Sequence, residues 1–503
     1  MSLFRRKSLD RLIAERGDEE HGLRKALTAV DLTALGIGAI IGAGIFATLG
    51  SATSGASGSP AGPGVALSIV LTAVACGFCA LCYAEFASLV PVAGSAYTYS
   101  YATMGELVAW IIGWDLILEY AVGNIAVAIS WAAYFRQLLL GLGFEIPAWM
   151  ATDYRSALLA SRAAAEGGAA SLGPEMSIAW QAWQSHPMLF GLPVVVNLLA
   201  ASITAVITWL LVIGVKESAR FNNVVVVLKV ATLLFFIAVG AFYVSPAHWT
   251  PFFPGGFSGV WHGASLIFFA YIGFDAISTA AEECRDPARD MPRGIIASLL
   301  ICTVLYVAAA LILTGMIPFA KLVGVADPLA AALAYVKQDW AAGFLAFGAV
   351  VAMTAVLLVF QLGQARIFMV MSRDGLLGSW FAKIHPRYRT PHVATILTGA
   401  FVAFFSALAN IDEIVQLTNI GTLFAFVLVC IGILILRARE PERPRKFRVP
   451  FVPFVPLLGA GMCVFLMAGL PLLTWERFVL WLMAGLVLYF LYGRRRSRLA
   501  TGS

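Results

Sequence analysis

The sequence has 503 residues, of which 60% are hydrophobic and 12% are charged, and its formal net charge is +6. Its mean hydropathy of +0.86 is far above that of water-soluble domains. This composition excludes a soluble enzyme and a nucleic-acid-binding protein, and it predicts an all-α integral membrane protein that lies in a lipid bilayer.

Twelve apolar runs are each long enough to cross a bilayer, whose core of about 30 Å needs roughly 20 residues of helix. In chain order, the predicted spans cover residues 31–54, 63–90, 106–139, 190–214, 221–244, 259–282, 293–317, 341–371, 392–409, 413–436, 453–473 and 476–492. We expect one membrane domain over residues 29–493, between an N-terminal segment (1–28) and a C-terminal tail (494–503). The loop 143–189 is expected to contain a short helix and a Gly/Ala turn.

The distribution of Lys and Arg predicts the orientation in the membrane. If both ends lie in the cytoplasm, 27 of the 34 basic residues fall on the cytoplasmic side, six fall outside and Lys229 lies within a span. Cytoplasmic loops carry such an excess of positive charge. The charged start has no apolar core of a cleavable signal peptide, so the first span is expected to direct insertion. These features predict a multi-pass protein with both termini in the cytoplasm.

The cysteines give no evidence for a metal site or a disulfide framework. Cys76, Cys79 and Cys82 form a C-x-x-C-x-x-C run inside an apolar span without a nearby His, so we interpret them as packing residues. No nucleophile with an adjacent base and no phosphate-binding loop is evident. We therefore expect no cofactor, no metal and no enzymatic activity.

The stretch "GIGAIIGAGIF", residues 36–46, places four glycines inside the first span. A dinucleotide-binding fingerprint is excluded because no strand precedes it. Close helix packing is an alternative, since Gly38 and Gly42 form a small-xxx-small pair. Four glycines exceed that need, and glycine tolerates non-helical backbone. We therefore predict an interruption of the helix that lines a cavity or binds a ligand.

A second interruption is predicted in the sixth span, where Gly273 and Asp275 lie in "FFAYIGFDAIS". Two interrupted spans, each the first of a set of five, are the sign of an inverted repeat with a binding site between them. Amides at the start of one half-helix suit a carboxylate, and carbonyls at the end of another suit an ammonium. An α-amino acid carries both groups. The expected amides belong to Gly42, Ala43 and Gly44, and the expected carbonyls belong to Ile40, Phe269, Ala270 and Ile272.

Lys229, Glu119 and Asp275 are charged residues deep within predicted spans. Lys229 is costly in a bilayer, and burial favours a neutral amine, so it could exchange a proton as water reaches it from alternate sides. The alternative is a permanent structural ammonium. Glu119 and Asp275 are expected to face the bundle interior, either as partners of substrate or proton or as caps of freed amides. Phe360 and Gln361 lie in the eighth span, and the ring of Phe360 fills volume and offers no counter-charge, which favours a small neutral amino acid such as alanine.

The chain resembles the amino acid, polyamine and organocation transporter superfamily, and within it bacterial members of the cationic amino acid transporter family. The matching motifs are "YAEFASLVPVAGSAYTYSY", "GWDLILEY", "YIGFDAISTAAEECRDPARDMPRGI" and "GQARIFMVMSRDGLL", within a resemblance over about residues 23–495. The resemblance implies a five-plus-five inverted repeat of the leucine-transporter type. Repeat one then covers about 29–245, repeat two about 257–438, and the last two spans about 453–493.

The resemblance also implies alternating access without covalent chemistry. Lys229 matches a lysine that replaces a sodium ion between spans one, five and eight in proton-coupled relatives. Ala43 departs from a hydroxyl residue that relatives carry, which leaves the backbone amide as the remaining donor. The expected function is proton-coupled amino acid import across a bacterial cytoplasmic membrane. An exchanger, a transporter of cationic amino acids and, more remotely, a sensor or channel stay open, as does a small membrane subunit.

Overall fold

A computed structural model describes residues 5–7, 27–55, 58–89, 95–168, 172, 174–214, 219–275, 277–278, 284–325, 327–445 and 447–498. Within these residues the chain is almost entirely helical, with one two-stranded antiparallel ribbon. The ribbon joins β1 (Met188–Leu189) to β2 (Leu192–Pro193) through an exposed turn at Phe190 and Gly191. Helices are expected for a chain in lipid, because each satisfies its own backbone hydrogen bonds.

The first half of the chain contains ten α-helices. They are α1 (Ala29–Ile40), α2 (Leu49–Ser54), α3 (Val65–Leu89), α4 (Ser95–Thr103), α5 (Glu106–Ile117), α6 (Gly123–Gly141), α7 (Tyr154–Gly167), α8 (Pro174–Ser185), α9 (Leu198–Ile213) and α10 (Ala219–Gly240). A π turn at Gly44–Thr48 leads into α2, and another at Leu118–Val122 joins α5 to α6.

In its described residues, the second half of the chain contains nine α-helices. They are α11 (Gly256–Ile267), α12 (Pro287–Met316), α13 (Pro328–Tyr335), α14 (Asp339–Arg373), α15 (His392–Leu408), α16 (Ile411–Arg439), α17 (Phe454–Ala468), α18 (Leu472–Leu488) and α19 (Arg494–Arg496). A 3₁₀ turn at Phe268–Tyr271 follows α11, and a π turn at Tyr489–Gly493 links α18 to α19.

Eight helical segments of the described chain are long and apolar enough to cross a bilayer. They are Ala29–Ser54, Gly62–Leu89, Glu106–Gly141, Asn223–Tyr243, Pro287–Met316, Asp339–Arg373, Ile411–Arg439 and Leu472–Arg496. Three further apolar helices, α9, α15 and α17, have 16, 17 and 15 residues. The protein is therefore a multi-pass membrane protein.

Some predicted boundaries were wrong. The fourth span was expected to begin at residue 190, but β2 occupies that region and α9 begins only at Leu198, where the Asn197 side chain caps the Ala200 amide at 3.1 Å. The seventh span begins six residues earlier than predicted, because Pro287 can occupy the first helical turn. The predicted short loop helix is confirmed as α7, whereas α8 was not predicted.

Cysteines pack between α3, α16 and α17. The Cys79 sulfur lies 3.4 Å from that of Cys463 and 3.8 Å from that of Cys430, and the seven thiols are free and buried. No cluster of His, Cys, Asp or Glu suited to a metal ion occurs among the residues described by the structure. The thiols thus act as small packing residues where three helices approach closely.

The two ends of the described chain meet at one corner of the bundle. The Lys7 ammonium forms an ion pair of 2.7 Å with Asp374, at the end of α14. The Arg498 amide donates to the Asp374 carbonyl at 3.1 Å. The Ser497 hydroxyl donates to the Glu106 carboxylate, at the start of α5, at 2.5 Å. We call Lys7, Glu106, Asp374, Ser497 and Arg498 the terminal clasp.

Candidate binding site at two interrupted helices

The first helical interruption lies at Ile41 and Gly42. Helix α1 begins with a capping box between Thr28 and Asp31 and ends at Ile40. Ile41 then takes an extended conformation with φ −74° and ψ 102°. The π turn that begins at Gly44 starts the next half-helix. The first amides of a helix have no acceptor within it, and Gly42, Ala43 and Gly44 lie at this start.

The second interruption lies at Ile272 and Gly273. The 3₁₀ turn Phe268–Tyr271 tightens the end of α11, and Ile272 leaves helical geometry with ψ 136°. Gly273 has φ +113°, a conformation that disfavours residues with a side chain. Phe269, Ala270 and Ile272 are all buried here. Residues 276 and 279–283, at the end of the predicted sixth span, lie outside the described residues.

The two interruptions are in direct contact. A methyl group on Gly44 would lie 2.2 Å from the Ala270 Cα, and one on Gly273 would lie 2.9 Å from the Ala39 carbonyl oxygen. Gly42 faces α14, where a methyl group would meet Val356 at 2.7 Å. The glycines therefore permit backbone to approach backbone at the centre of the bundle. The residues predicted to bind the two charged ends of an amino acid are brought together.

Side chains from three other helices contact the carbonyl groups around the first interruption. The Lys229 ammonium, from α10, donates to the Gly38 carbonyl at 2.5 Å and is 1% exposed. The Tyr306 hydroxyl, from α12, donates to the Ile40 carbonyl at 3.0 Å. The Tyr134 hydroxyl, from α6, donates to the Phe46 carbonyl at 2.5 Å. A carbonyl oxygen has two lone pairs, so the Ile40 carbonyl retains one for a ligand.

Buried carboxyl groups lie beside the second interruption. Glu119, in the π turn of the third predicted span, faces Asp275 and Thr422 and is 1% exposed. The Tyr120 hydroxyl donates to Asp275 at 3.5 Å. Asp115 lies one turn before Glu119, and neither of its buried oxygens has a hydrogen-bond partner among the described residues. The predicted inward orientation of Glu119 and Asp275 is present, and the two acids form a cluster.

Phe360 lies next to this acid cluster. Its ring packs edge-on against Tyr120 with centroids 5.7 Å apart, and a methyl group on Gly123 would meet it at 3.4 Å. Gln361, the next residue, contacts α9 instead. Its side-chain amide donates to the Thr208 hydroxyl at 2.7 Å, on the opposite side of α14. Consecutive helical residues point about 100° apart, so only one of the two can face the site.

Several polar residues of the site were missed in the sequence. The Asn419 amide, from α16, donates to the carbonyls of Ser265 and Leu266 at 2.8 and 3.0 Å, near the end of α11. It thereby satisfies acceptors that the interruption leaves without intrahelical donors. A buried Asn in an apolar span is itself a signal of such a role. Tyr120, Tyr134 and Tyr306 carried no comparable signal, because tyrosine also serves as an ordinary packing residue.

Glu85, at the end of α3, has a structural environment rather than a solvated one. It is fully buried and pairs with the Arg437 guanidinium at 2.6 Å and the Arg445 guanidinium at 3.2 Å. The Val449 amide donates to it at 2.7 Å. The sequence predicts either a solvated or a gate-forming side chain for Glu85. Its burial excludes the solvated alternative, because the segment after α16 folds back over the end of α3.

A bundle of membrane helices with two interrupted helices in contact at its centre, surrounded by buried polar groups, defines a membrane transport protein. Comparison with known sequences agrees with this class. The amino acid permease family model matches residues 27–490. The chain belongs to the amino acid permease family, within the amino acid, polyamine and organocation transporter superfamily, and it is not an enzyme.

The relatives match most or nearly all of the chain. The chain is 47% identical to the branched-chain amino acid permease BcaP of Bacillus subtilis (strain 168), over 99% of each chain. It is 45% identical to the methylthioribose transporter of the same organism, again over 99% of each. It is 35% identical to the vacuolar cationic amino acid transporter 4 of Arabidopsis thaliana, over 88% of this chain and 68% of the relative. The resemblance seen in the motifs is confirmed.

Proposed function

We propose that the protein is a secondary active transporter that imports an amino acid with a neutral side chain, coupled to a proton, by alternating access. The observation that carries the proposal is the contact between the two interruptions, Gly44 against Ala270 and Gly273 against Ala39. Helix interruptions at membrane depth are tolerated where they serve a site. Free amides and carbonyls within one small volume suit a zwitterion, and no covalent step is needed.

The proposal includes the full topology. Twelve spans form two inverted repeats of five, with two further spans after them, and both termini lie on the cytoplasmic side of a bacterial membrane. The eight long apolar helices, the three shorter ones and the interrupted helix that begins with α11 support the count. The 27 basic residues on the side of the termini support the orientation.

In the proposed site, the substrate carboxylate receives hydrogen bonds from the amides of Gly42, Ala43 and Gly44. Its ammonium is bound by carbonyls of Ile40, Phe269, Ala270 and Ile272. Glu119, Asp275 and Phe360 border the side chain of the substrate. Phe360 offers an apolar ring and no counter-charge, which supports a neutral substrate. The name of the Bacillus relative supports branched-chain side chains, whereas the volume of Phe360 favours alanine.

Two features support coupling to protons. The Lys229 ammonium contacts the first interrupted helix through Gly38, one turn before the break, where its charge can replace that of a bound cation. Glu119 and Asp275 face each other in a buried volume, and repulsion disfavours two negative charges at such a distance. A proton that enters or leaves either group therefore changes the forces on an interrupted helix.

Uptake into proteoliposomes tests the proposal. The purified protein is reconstituted, an inward proton gradient is imposed without sodium, and the initial uptake of labelled alanine, leucine and arginine is measured. We expect gradient-driven uptake of the neutral substrates and little uptake of arginine. We expect Lys229→Met to abolish gradient-driven uptake, because the charge that responds to the proton is lost.

The matched control is Lys383→Met, which removes an exposed lysine from a loop and should leave uptake unchanged. Uptake that requires amino acid inside the vesicle would establish an exchanger instead. A requirement for sodium would refute the role of Lys229. Preferred uptake of arginine would overturn the assignment of a neutral substrate.

A further inference from the structure

We propose that a basic pocket at the start of α12 binds the headgroup of one anionic phospholipid. The pocket has a volume of about 710 Å³ and lies between the first turns of α12 and the segment after α16. Its walls combine two arginines with apolar side chains, a composition that fits a lipid and does not fit a zwitterionic substrate. The lining includes Arg289, Arg293, Ile296, Ala297, Leu300 and Phe447.

The charges of the pocket are available to a ligand. Arg289 and Arg293 are both exposed, and among the residues that the structure describes neither guanidinium has an ion pair or a hydrogen bond. They are four residues apart on one helix, so their side chains leave the same face one turn apart. Arg448, next to Phe447, is a third exposed basic residue. Guanidinium groups bind phosphate through paired hydrogen bonds.

The apolar part of the pocket continues towards the bilayer. Ala297 and Leu300 follow Arg293 on the same face of α12, and Val304 continues that stripe one turn further. Leu300 is 62% exposed and Val304 is 70% exposed, as expected for side chains that touch acyl chains. Phe447, from the segment after α16, closes one side. The pocket thus presents positive charge at the start of a helix long and apolar enough to cross a bilayer, and an exposed apolar stripe along the same helix face.

The positive charge of the pocket and the apolar groove beside it together indicate which molecule binds there. A zwitterionic lipid has no net charge, so it cannot neutralise two guanidinium groups. An anionic phospholipid carries a net negative charge that can. A soluble phosphate ester would match the arginines but would leave the groove beside Leu300 without a partner. The pocket therefore favours a molecule with both parts, a phosphate of net negative charge and an acyl chain. Such a lipid would connect α12, which packs on α1 and α3, to the segment that covers Glu85.

Native mass spectrometry and thermal unfolding test the site. The purified full-length protein is exposed to equal amounts of phosphatidylglycerol and phosphatidylcholine in mixed micelles, and inorganic phosphate is added in a separate arm. We expect preferential retention of phosphatidylglycerol and a higher melting temperature with that lipid alone. In the double variant Arg289→Gln/Arg293→Gln, the affinity for phosphatidylglycerol should fall about 25-fold, about fivefold per arginine, with binding of phosphatidylcholine unchanged.

Two further variants make the result specific. Arg494→Gln/Arg495→Gln removes the same charge from exposed positions in α19 and should bind phosphatidylglycerol as the wild type does. Ala297→Trp fills the groove while keeping both arginines, and it should also lose the lipid. Each variant must match the melting temperature of the wild type without lipid, which excludes misfolding as the cause.

Equal retention of phosphatidylglycerol by the wild type and the Arg289/Arg293 variant would overturn the proposal. Stabilisation by inorganic phosphate equal to that by the lipid would also overturn it, since the site would then bind the ion alone. These measurements need neither substrate nor gradient, so their failure is distinguishable from a failure of the proposed transport function.

Discussion

Gly44 is the residue at which the two interrupted helices come closest. The added methyl group of Gly44→Ala would lie 2.2 Å from the Ala270 Cα and 2.8 Å from its Cβ and amide nitrogen. These are atoms of backbone or of a methyl group, so no flexible side chain can move aside. Overpacking of this kind costs about 1–3 kcal/mol, and here it would separate the interruptions. We expect Gly44→Ala to reduce the affinity for the transported amino acid at least tenfold.

Gly77→Ala is the matched control for that variant. Gly77 lies in α3, and an added methyl group there meets no atom within 4 Å. Because alanine is the better helix former by about 1 kcal/mol, the control should keep full affinity and be no less stable. Isothermal titration with the substrate and melting temperatures of both variants check the prediction. Equal affinity in both variants would show that the contact with Ala270 plays no part in binding.

At the level of single elements, α7 contains a pH-sensitive cap. The Asp153 carboxylate accepts a hydrogen bond of 2.7 Å from the Ser156 amide, and burial raises the pKa of Asp153 from 3.8 to about 6. The folded state then binds more protons than the unfolded state between these values. The helix is therefore most stable below about pH 4 and loses about 3 kcal/mol as the pH rises through 6.

Hydrogen exchange tests this cap. In the wild type, we expect the amides of α7 to exchange faster at pH 7 than at pH 4 after correction for intrinsic rates. Asp153→Asn keeps an oxygen acceptor at the cap without the charge, so its exchange should not depend on pH. Helix α17, which follows Pro453 and has no titratable cap, is the internal reference. Protection of α7 that increases with pH would contradict the sign of the linkage.

Local signals in the sequence were sufficient to predict most of the helices. Apolar runs in the sequence predicted the approximate bounds of α3, α14 and α16, because a helix that crosses a bilayer needs apolar residues along its own length. The interruptions were predictable because glycine and an intramembrane acid are unusual at those positions. The ribbon β1–β2 and helix α8 were not: the apolar run that begins at residue 190 indicated a membrane span where β2 lies, and no apolar run marks α8. Helix α8 depends on contacts made in the folded chain, since its Ala182 is buried together with Ala157 and Val195.

In the candidate site, too, some residues are predictable from local sequence and others are not. Gly42, Gly44 and Asp275 carry their own signal, whereas the partners of the site do not. Nothing near Tyr306 in the sequence indicates that its hydroxyl reaches Ile40, 266 positions away. The π turn around Glu119 was also unpredicted, because α5 and α6 are buried and apolar around most of their circumference, so no single hydrophobic stripe reveals the extra residue. Such features depend on the packing of the complete bundle.

For the whole molecule, the terminal clasp couples the ends of the chain to α5 and α14. The Lys7–Asp374 pair has side-chain exposures of 12% and 10%, and the Tyr97 hydroxyl also donates to Asp374 at 2.6 Å. Exposed pairs contribute less than about 1 kcal/mol, and removing one partner of a buried pair costs about 3–5 kcal/mol. We expect a coupling energy of about 2 kcal/mol for Lys7 and Asp374, between these limits.

A double-mutant cycle with Lys7→Met and Asp374→Asn measures this coupling through the free energy of unfolding in detergent. The comparison cycle uses Arg155→Met and Glu413→Gln, a pair of 3.1 Å with exposures of 39% and 31%. It should show a coupling of no more than about 0.5 kcal/mol. A coupling at Lys7 and Asp374 as small as in this exposed pair would show that the clasp does not stabilise the protein.

Because Lys7 and Arg498 both contact Asp374, these two residues lie close together in the described chain. A short peptide linker could therefore join Lys7 to Arg498 without moving any helix, and new ends could be opened at the exposed turn of Phe190 and Gly191 between β1 and β2. In such a circular permutant the synthesis order of the helices would change while their neighbours stayed the same. The permutant would thus show whether formation of the bundle depends on the order in which its helices are inserted or on the contacts between them.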